Sequence, residues 1–189
     1  MSESPLLWYH NRATGTVVMV LLTIVVVAGI LATFGRAGRG VPRFLTQSFH
    51  RQISVLAVGM LAAHVASAVL DTFVDIRWWQ AVVPFGGSYR PVWLGLGALA
   101  LDVIAIVVAT SLVRTRLGHR RWRAVHLLAY LAWAAAVAHG VGIGTDSPSE
   151  WSRALTVGCV AAVMIVTAVR AVAVLVASAR ADRPMSGVR

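Results

Sequence analysis

Lysine is absent from this chain of 189 residues, and all 17 of its basic residues are arginine. Charge of any kind is scarce: 13% of residues carry it, and only 7 are acidic. An ordinary soluble domain is about a quarter charged, so this composition excludes that class. The lone cysteine, Cys159, excludes an internal disulfide, a CxxC redox pair and a thiolate-held iron–sulfur centre. It lies in an apolar run and reads as a small packing residue. The net charge of +10 does not point to nucleic acid, because the arginines border hydrophobic runs instead of forming a patch of their own.

Apolar residues are what the chain has in plenty, at 58% of the total and a mean hydropathy of +0.76. Five runs reach the length of about 20 residues that spans a bilayer core of about 30 Å. They cover 14–34, 49–70, 92–113, 122–141 and 152–169. The expected fold class is all-α integral membrane, a bundle of about five transmembrane helices in contact with membrane lipid. The first run is longer than a signal-peptide core and has few basic residues before it, so it is expected to be a retained anchor. The bundle is expected to occupy 1–178, with 179–189 as a short cytoplasmic tail. That leaves no room for a soluble nucleotide-binding domain of about 100 residues.

The arginines also predict orientation. Arg36, Arg39, Arg43 and Arg51 mark one connection, Arg114, Arg116, Arg120, Arg121 and Arg123 another, and Arg180, Arg183 and Arg189 the tail. The alternate connections are balanced (Asp71, Asp75, Arg77, Arg90) or acidic (Asp146, Glu150). The positive-inside rule then puts the N-terminus outside the cell membrane and the C-terminus in the cytoplasm. Arg170 is expected to snorkel to the inner surface, with the helix continuing over 171–178. Trp78, Trp79 and Tyr89 suit an outer interface, where a short helix around 76–82 should end in the Pro-Phe-Gly-Gly turn.

Two of the runs contain paired histidines, His50 and His64 in the second, His126 and His139 in the fourth. An imidazole inside a membrane helix is costly and usually faces a partner in the bundle interior. Both runs go from inside to outside by the charge argument, so depth alone pairs His50 with His126 and His64 with His139. The steps of 14 and 13 residues correspond to about 21 and 20 Å of helix rise. Fourteen residues are about 3.9 turns and return His64 to the face of His50, whereas thirteen are about 3.6 turns and leave His139 off the face of His126. A tilt, a π-bulge or different azimuths must absorb that mismatch. The natural occupants of such a ladder are two haems between the second and fourth helices, with the four imidazoles as axial iron ligands. Two axial histidines leave iron no open position, which suits electron transfer. Arg51 and Arg123, with Arg43, are candidates to hold the inner haem's propionates, and Arg90, with Arg77, the outer haem's. Ala62, Ala63, Ala66, Ala135, Ala136 and Gly140 leave space for a flat ring or for close helix packing.

The spacing of the four histidines resembles that of the ferric reductase-like transmembrane domain. Ferric reductases, NADPH oxidases and the bacterial haem subunit of the methionine sulfoxide reductase system share that domain. Phrases that resemble bacterial members are Trp8-Tyr9, Arg12-Ala13-Thr14-Gly15, Tyr89-Arg90-Pro91, Gly118-His119-Arg120, and Trp122-Arg123-Ala124-Val125-His126 running on to His139-Gly140. The likeness covers about 8–146 and marks a stand-alone bacterial member. It implies two b-type haems on the four histidines and electron flow from a cytoplasmic donor to an outer acceptor. The acceptor would be ferric iron, oxygen or a partner protein. The family commonly has six spans against five here, and its full-length reductases carry a flavin and NADPH module that this chain lacks. The expected donor is therefore a cytoplasmic flavoprotein reductase or a quinol, with FMN or FAD held by a partner or bound loosely. Two rival readings remain. In one, the histidines and Asp102, which lies within the third run, form a relay in a proton-coupled transporter. In the other, the chain is a non-catalytic haem-containing anchor subunit. His10 and His119 read as solvated residues outside the helices.

Overall fold

The computed structural model describes residues 6–33, 43–71, 74 and 76–181. The arginines at 36 and 39, Asp75 and the tail from 182 onward lie outside the described residues, as does the side chain of Arg43. Among the described residues every regular element is helical.

Seven helices follow one another: α1 (Leu6–Thr33), α2 (Arg43–Leu70), α3 (Pro91–Leu112), α4 (Arg114–Leu117), α5 (His119–His126), α6 (Leu128–Ile143) and α7 (Glu150–Ala181). Five segments are long and apolar enough to cross a membrane, with α5 and α6 together counting as one. All five expected runs are therefore present, but several helices extend past them. α1 runs from Leu6 and takes in Asn11 and Arg12, whose side chains find partners on other elements. His10 is exposed within the first turns of α1, and His119 opens α5, so neither is a loop residue. α7 is continuous to Ala181, just past the expected start of the tail. The short helix expected around 76–82 is a 3₁₀ turn, Trp78–Ala81.

α1 is the hub, packing on α2, α6 and α7. Its Val26 and Ile30 form a buried cluster with Trp133 of α6 and Val163 of α7. Across this contact the Trp133 indole N–H donates to the Thr23 hydroxyl at 3.0 Å, in a buried site. α3 packs on α5, α6 and the 3₁₀ turn, with Val103 and Val107 against Ala132. α2 rests almost wholly on α1, and close backbone packing between α2 and α5–α6 is slight at most. The histidine-bearing helices are thus braced from behind, α2 by α1 and α5–α6 by α3, and their histidine faces look toward each other.

Candidate functional site: a four-histidine ladder

Each ladder histidine is fixed by the helix behind it. The His50 ring N–H at Nδ1 donates to the Val25 carbonyl at 3.0 Å. His64 does the same to the Asn11 carbonyl at 3.1 Å, and His139 to the Trp93 carbonyl at 2.8 Å. A carbonyl can only accept, so these three rings carry their proton on Nδ1 and keep the lone pair on Nε2. His126 has a weaker partner, the Ser111 hydroxyl at 3.5 Å. Among the described residues no hydrogen bond reaches Nε2 of any of the four. A metal-ligating histidine is normally held in this way, with one nitrogen bonded to a protein oxygen and the other free.

Glycine makes room for three of the rings. A methyl group added at Gly29 would lie 3.2 Å from Cε1 of His50, and one at Gly15 would lie 3.0 Å from Cε1 of His64. At Gly97 of α3 it would come within 2.5 Å of Nδ1 of His139. A side chain at Gly97 would force the His139 ring to move, whereas one at Gly15 or Gly29 would ask its ring to give by a few tenths of an ångström. These glycines escaped sequence reasoning, although the signal was present: Gly15 and Gly29 repeat the 14-residue step of His50 and His64 on the neighbouring antiparallel helix.

The structure brings two of the four histidines into ring contact. The His50 and His126 ring centroids are 6.2 Å apart with planes at 73°. Two imidazoles sharing one metal at nitrogen–metal lengths of about 2 Å would hold their centroids roughly 6 Å apart. His64 and His139 make no such ring contact among the described residues. No group of three or more potential metal-ligating residues occurs among the described residues. Axial ligation of a haem asks for two per iron, and the spacing of His50 and His126 fits a haem between them.

Within the 13-residue step the helix is interrupted by a turn and contains no π-bulge. α5 ends at His126, Leu127 is a turn, and the Tyr130 N–H bonds the Leu127 carbonyl at 3.2 Å, three residues back. A tighter turn winds the chain further per residue, which moves His139 toward the face of His126.

The neighbouring residues divide by level. Asn11 ties α1 to α2 beside His64, its side-chain amide donating to the His64 carbonyl at 3.0 Å and the Ser67 hydroxyl at 3.1 Å. Arg12, stacked 4.1 Å over the Trp8 ring, makes a two-pronged ion pair with Asp146, one prong being Nε to Oδ2 at 2.9 Å. At the other level Trp122 stacks on His126 at 4.9 Å, and its indole N–H donates to Ser111 at 3.3 Å. Of the arginines expected beside the site, Arg90 has a left-handed backbone (φ 39°) and donates to the Gly142 carbonyl at 2.7 Å, joining the start of α3 to the end of α6. Arg51 and Arg123 are exposed next to His50 and close to His126 in sequence. Asp102 lies apart from the ladder, with no hydrogen bond to any of its histidines.

No curated protein and no solved structure matches this chain. One family model does, over residues 6–146, from the first residue of α1 to the Asp146 that pairs with Arg12. The match takes in the whole ladder and its bracing helices and stops short of α7, and the chain therefore belongs to the family described as a domain of unknown function, DUF8596.

Proposed function

We propose that this chain is a transmembrane electron carrier of the ferric reductase-like kind, with one b-type haem between His50 and His126 and a second between His64 and His139. The observation that carries the reading is the state of the four imidazoles: two pairs at two depths, each ring bonded through Nδ1 with Nε2 left free. A haem with two histidine ligands supplies one-electron chemistry and no open position for substrate. The protein holds the imidazoles in one tautomer, sets their spacing through Gly15, Gly29 and Gly97, and keeps the interval between levels apolar. Arg51 and Arg123 would neutralise propionates at one level and Arg90 at the other.

The orientation follows the arginines, with the N-terminus outside the cell membrane and the C-terminus in the cytoplasm. Electrons would enter from a cytoplasmic flavoprotein or a quinol and leave at the His64 level to ferric iron, oxygen or a partner protein. Purified from haem-replete cells, the protein should contain two haems per chain by pyridine haemochrome, with a six-coordinate b-type spectrum. His64→Ala should lose one haem and His50→Ala the other. Absence of haem from the wild type, or an unchanged haem content in both variants, would refute the reading.

A further inference from the structure

One acidic side chain is left over by the ladder and by its bracing contacts. Asp102 sits on α3 between Gly97, which abuts His139, and Ser111, which contacts His126. It is therefore between the two histidine levels, in the middle of the span. α3 turns Leu99, Val103, Ile104 and Val107 toward α6. Asp102 belongs to the opposite side, which continues through Ala105, Ile106 and Ala109, all exposed. Toward the Trp93 end of α3 this side is covered, because Phe85 closes over Gly95. From Asp102 onward Ala105, Ile106 and Ala109 are left exposed among the described residues. Among the described residues no hydrogen bond or ion pair reaches the Asp102 carboxyl, and the other acidic residue of the apolar segments, Glu150, stands at the first position of α7.

A carboxyl facing acyl chains at mid-depth is costly and marks a site where a partner is needed. Among the described residues no cation is paired with it, Arg170 of α7 being turned to the neighbourhood of Tyr130. Arg12 is at the start of α1 and bound to Asp146, Arg51 adjoins His50, and the imidazoles sit above and below. A carboxylic acid group, however, is both donor and acceptor, and two of them are self-complementary. Two copies inserted in the same sense place Asp102 at the same depth, which is the condition for an isologous contact.

We propose that the Asp102 face of α3 is an interface between two copies of this chain, related by a two-fold axis along the membrane normal. The two carboxyls hydrogen-bond each other. Ala105 and Ala109, one and two turns along, allow the two backbones to approach. The contact uses no ladder residue and stands independently of what the histidines hold.

The test uses the full chain in lipid vesicles with Cys159→Ser, so that an introduced thiol is the only one. Ala109→Cys should cross-link between copies under copper–phenanthroline oxidation. Val157→Cys, 67% exposed on α7, should not. Asp102→Leu should lower the Ala109→Cys cross-link roughly five- to tenfold, the effect of losing an interhelical hydrogen bond in lipid. Asp102→Asn keeps a donor and an acceptor and should preserve the cross-link. Ala105→Trp, which blocks close approach without touching the carboxyl, should abolish it, so the proposal remains testable if Asp102→Leu fails to fold. Ala109→Cys cross-linking no better than Val157→Cys would overturn the proposal, as would single-step photobleaching of the wild type. Either result would leave the face to lipid or to a cation-bearing helix of another protein.

Discussion

Gly97 and His139 are matched across the contact of α3 with α6, the hydrogen at Gly97 occupying space that any side chain would take from the imidazole. Gly97→Val must push the ring away from the Trp93 carbonyl, 2.8 Å from Nδ1, or separate the helices. The expected result is one haem per chain instead of two, with the haem between His50 and His126 retaining its spectrum. Pyridine haemochrome quantitation beside the visible spectrum checks this. Gly59, where an added methyl meets nothing within 4 Å, is the control, and Gly59→Ala should keep both haems.

The ladder was legible in the sequence because an imidazole in an apolar run is rare and its depth can be counted at 1.5 Å per residue. The five spans were legible for the same reason. What could not be read was azimuth. The turn at Leu127, which rotates His139, depends on a hydrogen bond between Tyr130 and Leu127 that no local composition announces. The bracing partners are backbone carbonyls of Val25, Asn11 and Trp93, and a carbonyl has no residue signature. The roles of Asn11 and Arg12 were not legible because their partners, His64, Ser67 and Asp146, are distant in sequence. Arg90 looked like an anion-binding residue, and its bond to Gly142 gives it a further task in joining two helices.

The hydrogen bond between Trp133 and Thr23 ties α6 to α1 between the two levels. Trp133→Phe keeps most of the ring in the cluster with Val26, Ile30 and Val163 and removes only the donor. Interhelical hydrogen bonds in membrane proteins contribute about 0.6 kcal/mol on average, so a loss of that order is expected, with both haems kept. Trp133→Ala also empties a large buried volume and should cost about 3–5 kcal/mol. Unfolding in mixed detergent, followed by far-ultraviolet circular dichroism, separates the two variants. A Phe variant as unstable as the Ala variant would mean that the indole N–H matters far more than its packing.

Orientation has its own test. Thr145 is exposed between α6 and α7, and Thr115 is exposed in α4, at the opposite end of the bundle. With Cys159→Ser as background, a membrane-impermeant maleimide applied to intact cells should label Thr145→Cys. It should label Thr115→Cys only after permeabilisation. The reverse pattern would show that the arginine-rich connection faces outward, against the positive-inside rule.

The two levels differ in how they can be tuned. Backbone carbonyls hold Nδ1 of His50, His64 and His139, so no side-chain substitution deletes those bonds. His126 alone relies on a side chain, the Ser111 hydroxyl, which also donates to the Val107 carbonyl at 2.7 Å and accepts from Trp122. Ser111→Ala removes the partner of His126, one of the proposed axial ligands, and frees the indole stacked on it. A histidine with no acceptor at Nδ1 is a poorer donor to iron at Nε2, which favours the reduced state. The expected outcome is a rise in the midpoint potential of the haem between His50 and His126, on the order of tens of millivolts, where 59 mV is a tenfold change for a one-electron couple. The haem at His64 and His139 should titrate unchanged. An equal shift of both potentials, or a shift confined to the other haem, would contradict the assignment of Ser111 to the His126 level. Ser111→Thr restores the hydroxyl and should return the potential toward the wild-type value.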